Sequence, residues 1–158
     1  MRFPSAEQEL LRGIMSNLLQ SKLNTLLNGE IHDRVTENIG VDANGNKMPK
    51  FSYIVVGESD GTETRGTNAY TESISVTVHA YHRNNEKPYL ATDSTRQLLR
   101  DVVYFLEETP LLPNAKVIHI KKEMQQVFTD IDRETMHGVV RMNYKVVHNV
   151  RYKNKEMI

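Results

Sequence analysis

Residues 71–82 read Thr71-Glu72-Ser73-Ile74-Ser75-Val76-Thr77-Val78-His79-Ala80-Tyr81-His82. Ile74, Val76, Val78 and Ala80 share one parity; Ser73, Ser75, Thr77 and His79 share the other. Successive side chains of a strand point to opposite faces, so this stretch predicts a β-strand with one face on a core and one in water. That pattern belongs to an antiparallel sheet.

Working outward toward the amino terminus, Phe51 to Gly57 reads as a buried strand, because Tyr53-Ile54-Val55-Val56 is β-branched and aromatic with no polar break. Between the two strands, Gly57 to Asn68 holds Gly57, Gly61 and Gly66 among Glu, Ser, Asp and Thr. With almost nothing apolar to bury, it reads as a long loop that is unable to order itself alone. Asp42 to Lys47 is a turn cluster, and Ile31 to Val41 is a weakly patterned stretch read as one further strand. Apolar residues at Ala6, Leu10, Leu11, Ile14, Leu18, Leu19, Leu23, Leu26 and Leu27 make a stripe at helical period. Ser5 with Gln8 reads as its capping box, and Asn28-Gly29 as its stop. The expectation is one uninterrupted helix, roughly 34 Å long.

Toward the carboxyl terminus, Pro88 to Glu108 predicts a second helix with Ala91, Thr95, Leu98, Leu99, Val102, Phe105 and Leu106 on its apolar face. Lys116 to Phe128 alternates around Ile118 and Ile120. Val139 to Val150 places Val140, Met142, Tyr144 and Val146 on one face. Thr129 to Glu134 joins these last two strands as a hairpin loop, and Gly138 is expected at a bulge or a close approach. The fold class is α+β: a mostly antiparallel sheet of four to five strands, two helices on one face, order α-β-β-β-α-β-β. Residues 1–150 form one domain and residues 151–158 a polar tail.

The whole chain narrows the function. Its 158 residues contain no cysteine, which removes disulfides, thiolate nucleophiles and cysteine-bound metals and favours a reducing compartment. The amino-terminal stretch lacks the pattern of a signal peptide, and no segment approaches the apolar length of a membrane span. Twenty basic and twenty acidic side chains give zero formal charge, without the basic excess of a dedicated nucleic-acid binder. A near-neutral surface also resists self-association little.

Catalytic and metal signatures are missing. His79 and His82 lie three apart on a strand and point to opposite faces. Asp42-x-Asn44-x-Asn46 and Asp130-x-Asp132-x-Glu134 begin like calcium loops, but Lys47 and Thr135 occupy the glycine position, and Tyr53 and Arg141 the position of the bidentate glutamate. Gly57-Glu58-Ser59-Asp60-Gly61 lacks the lysine of a phosphate loop. No enzymatic activity and no cofactor are expected.

Three pieces carry a family likeness: Pro49-x-x-x-Tyr53-Ile54-Val55-Val56-Gly57-Glu58, the strand Ile74 to Tyr81, and Thr129-Asp130-Ile131-Asp132-Arg133-Glu134-Thr135-Met136-His137-Gly138. In this order around a central helix, they resemble the tail-completion proteins of long-tailed bacteriophages, also called tail terminators or tail-to-head joining proteins. The likeness spans residues 5 to 150. It implies a virion protein of the tail and neck, assembled in the host cytoplasm. It also implies a ring, commonly a hexamer, that caps the tail tube and docks it to a head connector or stopper protein, with DNA passing through unbound. Alternatives are another neck component, such as a head-closure or adaptor protein, and a small-molecule binding or enzymatic α+β domain.

A ring needs one patch to meet a different patch. Interface residues are expected in the polar segment, at Gly57, Glu58, Asp60, Gly61, Glu63, Arg65 and Gly66, and in the second hairpin, at Asp130, Asp132 and Arg133. The polar segment is expected to order on assembly, and Glu58, Asp60 and Glu63 to line a DNA-repelling lumen.

Overall fold

The computed structural model describes residues 5–34, 39–65, 70–129 and 134–148. In chain order the elements are α1 (Glu7–Leu19), α2 (Lys22–Leu26), β1 (Ile31–His32), β2 (Lys50–Arg65), β3 (Tyr70–Asn84), α3 (Ala91–Leu106), β4 (Ala115–Thr129) and β5 (Thr135–His148). A short 3-10 turn, Pro88–Leu90, leads into α3. The strands form one sheet in the order β1-β2-β3-β5-β4. All neighbours are antiparallel except β1, which runs parallel to β2 through Ile31 and His32. The α+β class and the element order are those expected.

The helices cover one face. Leu10, Ile14 and Leu18 of α1 and Leu99, Val102 and Leu106 of α3 are buried with Ile54, Val56, Ile74, Val76, Val78 and Ala80. From β5 come Val140, Met142, Tyr144 and Val146, the four residues assigned to that face. Tyr144 donates its hydroxyl hydrogen to the Leu106 carbonyl at 2.8 Å, which satisfies one orphan acceptor at the end of α3. Burial holds the Tyr144 phenol well above its ordinary pKa. Gly138 provides the close approach expected of it, since a Cβ there would stand 2.9 Å from Leu99 Cγ.

Five local expectations are corrected. The single long helix is two. At Ser21 the backbone is extended (φ −88°, ψ 168°) and the side chain donates to the Leu18 carbonyl at 2.6 Å. That bond gives the end of α1 an alternative to continuing the helix. The apolar stripe survives the break because Leu23 and Leu27 re-enter the same core. The stop at Asn28-Gly29 holds, with φ of 54° and 81°.

The expected capping box does not form. Ala6 is the N-cap and its side chain caps nothing, while the Ser5 hydroxyl accepts the Glu7 N–H at 3.2 Å rather than that of Gln8. Instead Glu72 of β3 accepts the Ala6 N–H at 2.7 Å and the Ser5 hydroxyl at 2.9 Å. The carboxylate therefore sits at the positive end of α1, where its charge is favoured. His148 of β5 closes on the same oxygen as Ala6, at 2.7 Å, and both side chains are nearly inaccessible.

The third correction concerns residues 57–68. The polar segment is not a loop through most of its length: Gly57 to Arg65 is the outer half of β2. It pairs residue by residue with β3, from Ser59 opposite Val76 to Arg65 opposite Tyr70, after a bulge between Val56 and Ser59. Backbone pairing orders it without apolar side chains.

Finally, β4 bulges between Val117 and His119. Val117 is thereby buried and Ile118 is 53% exposed, the reverse of the simple alternation. Of Ile31 to Val41, only Ile31 and His32 form a strand among the described residues. The turn at Asp42 is as expected, with its carboxylate accepting the N–H groups of Asn44 and Asn46.

Candidate functional site

The face opposite the helices carries the side chains of the other parity. Its centre is not wet as the alternation implied: Val55, Ser75, Thr77 and Val139 are all buried. Longer neighbours close over them. Ser75 donates to Glu123 and accepts from Asn143. Arg141 holds both Asp60 oxygens, at 2.7 and 2.9 Å.

Aromatic rings step across this face from strand to strand. Tyr53 of β2 stacks on Tyr81 of β3 at 4.7 Å, Tyr81 on His137 of β5 at 4.4 Å, and His137 meets Phe128 of β4 at 4.5 Å. Such cross-strand pairs stabilise a sheet. Beside them, His79 Nδ1 lies 2.8 Å from His137 Nε2, and His79 Nε2 lies 3.0 Å from Glu58. The hydrogen bond from His79 holds the Glu58 carboxyl below its usual range. Gly57 makes this possible, since a Cβ there would stand 3.1 Å from the His79 ring. The arrangement is a hydrogen-bonded ladder on an open sheet face, and no group of three or more metal-ligating side chains converges among the described residues.

At one end of the same face, Arg83 is buried. It donates to Thr135 Oγ1 and to the carbonyls of Gly40 and Met48, which pins residues 39–49 against the sheet. On the helix side, His82 receives or donates a 2.7 Å bond with Ser52, and burial lowers its pKa.

The sheet has two open edges among the described residues. On one, β1 covers only Ile54 and Val55 of β2, so Val56 to Arg65 has no neighbouring strand. Alongside it, α1 and the start of this edge enclose an open groove of about 910 Å³ floored by Leu11, Met15, Leu19 and Val56. On the other, β4 is covered only where Leu111 bridges Lys116. Nearly all of β4 beyond Val117 is exposed, including Met124 and Phe128. Unpaired edges offer rows of N–H and C=O groups to another chain.

The expected interface residues are only partly gathered. Gly57, Glu58, Asp60, Gly61, Glu63 and Arg65 lie along the open half of β2. Glu58 and Asp60 reach His79 and Arg141 on the uncovered face. Glu63 is paired with Glu72 on the other parity and accepts the Tyr70 hydroxyl. Glu58 and Asp60 therefore share the uncovered face, and Glu63 points to the other. Gly66, Asp130, Asp132 and Arg133 lie outside the described residues. The open edge of β4 is not among the expected interface residues; the signal is its uncharged run Met124 to Thr129, bounded by Glu123 and Asp130.

No family model matches this chain. It is 25% identical over 121 residues to "Tail completion protein gp17" of Bacillus phage SPP1, across 76% of this chain and 81% of that protein. The chain resembles a phage tail-completion protein. That bears out the family likeness carried by its strands and second hairpin. Its fold also matches a chain in a solved structure, "Virion of native gene transfer agent (GTA) particle", with a TM-score of 0.72 and 9% identity. The match covers 92% of this chain and 99% of that one, so the fold is shared nearly end to end.

Proposed function

We propose that the chain is a structural virion subunit that finishes a bacteriophage tail, forming a homomeric ring where the tail tube meets the head. The observation that carries this reading is the similarity to a tail-completion protein over four fifths of that protein's length. The open edges of the sheet supply the physical means, because a ring joins unlike patches and each subunit carries two. Its neighbours would be copies of itself, the tail tube protein and a connector or stopper protein of the head.

DNA leaving the head would pass through such a ring. Zero formal charge suits passage without retention, since neutralised phosphates supply most non-specific affinity. No helix among the described residues is long and apolar enough to cross a membrane.

Co-sedimentation tests the reading. Purified protein mixed with tail tubes assembled without it should pellet with them and saturate at a few copies per tube. Protein that stays in the supernatant at every concentration would contradict a tail-end role.

A further inference from the structure

We propose that the ring closes by sheet extension: β4 of one subunit lies antiparallel to the open half of β2 of the next copy. This rests on the ring reading above and names the surfaces that would make it.

Three observations point to this pairing. The first is topology. β2 runs antiparallel to β3, β3 to β5 and β5 to β4. Hence β2 and β4, at opposite edges of one sheet, run antiparallel to each other. A rotation axis along the strands keeps both strand direction and sheet face. It therefore presents β4 of one subunit antiparallel to β2 of its neighbour, which is the more stable pairing.

The second is length. The open part of β2 is Val56 to Arg65, and β4 is uncovered from Val117 to Thr129. Followed across β3 and β5, Ser59 to Thr64 lie level with Lys122 to Lys116. Lysines and bulges blunt the first half of β4, with shifts at Val117/His119 and Lys122/Met124. From Met124 to Thr129 the register is regular and no residue is charged. Such a segment left open is an aggregation hazard unless a specific partner covers it.

The third is charge. The open edge of β2 carries Glu58, Asp60 and Glu63 against Arg65, and the first half of β4 carries Lys116, Lys121 and Lys122 against Glu123. Glu58 and Asp60 remain 76% and 71% exposed despite their contacts to His79 and Arg141. Opposite potentials favour a β2–β4 meeting, whereas β4 against β4 would oppose lysines to lysines.

The chain has no cysteine, so introduced pairs report contacts without background. Thr62 and His119 lie on the uncovered face beside the two edges, opposite Ser73 and Lys145, which pair with each other, so this axis brings them level, and both are exposed. Thr62→Cys would be combined with His119→Cys, and separately with Lys121→Cys, to sample the register. Each variant is oxidised while bound to tail tubes assembled without the protein. The expected result is a series of disulfide-linked dimers, trimers and longer species from one double variant, and none from any single variant. A covalent dimer from His119→Cys alone would show β4 meeting β4 and overturn the proposal. Tube binding without cross-linking in either double variant would overturn it while leaving the tail-end role standing. Failure of the unmodified protein to bind tubes would overturn both.

Discussion

Replacing Glu72 by alanine is expected to cost about 3–5 kcal/mol of folding stability, since several donors lose their acceptor together and each buried donor left unsatisfied costs about 1–3 kcal/mol. The change would strip three donors at once: the His148 ring, the Ser5 hydroxyl and the Ala6 N–H. The Ala6 N–H and the His148 ring sit where water does not replace the lost oxygens, so each would bear its desolvation unpaid, whereas Ser5 is exposed. It would also free the start of α1 from β3, leaving the Ser5 hydroxyl, which accepts the Glu7 N–H at 3.2 Å, as a local partner. Urea unfolding followed by circular dichroism measures the loss. Against a total of about 5–15 kcal/mol for a domain, such a loss leaves little margin. A cost below about 1 kcal/mol would mean that Ser5 and Gln8 cap α1 locally after all.

The second large effect lies where α3 meets β5. Leu99 is fully buried, and its truncation to alanine should cost about 2–5 kcal/mol. Gly138→Ala alone should cost about 1–3 kcal/mol, because the new Cβ would stand 2.9 Å from both Leu99 Cγ and Leu99 Cδ1. Made together, the two changes should cost less than their sum, since Leu99→Ala removes the atoms with which the new Cβ collides. A double-mutant cycle on unfolding free energies reads this coupling directly. Additivity within about 0.5 kcal/mol would show that the backbone of β5 yields instead.

Where burial followed a simple period, the fold was legible in the sequence. Ile74, Val76, Val78 and Ala80, then Val140, Met142, Tyr144 and Val146, lie on the helix-covered face as their parity requires. The break at Ser21 is local, made by its bond to the Leu18 carbonyl, but most other departures come from partners distant in the chain. Gly57 to Arg65 has almost no apolar content, yet it is a strand because β3 pairs with it, and no local count contains β3. Ser5 and Gln8 have the spacing of a cap, but the acceptor that wins comes from Glu72, 67 residues from Ser5. One bulge in β4 exchanges the burial of Val117 and Ile118, a shift invisible to a strict period of two.

The candidate site was half legible for the same reason. The polar segment was marked for its composition, and it does border an open edge. The aromatic ladder from Tyr53 through Tyr81 and His137 to Phe128 depends on register among four strands. Spacing along the chain does not encode that register. The open edge of β4 follows from strand order alone, since β5 lies between β4 and the rest of the sheet.

Electron microscopy of tube ends bears most directly on a protein that works by contact. Tails assembled without this chain, then mixed with it and averaged end-on and side-on, should show added density at one end only, built of several identical subunits around an open centre. Density spread along the tube wall, a single bound copy, or ends unchanged from the untreated tails would contradict a completing ring.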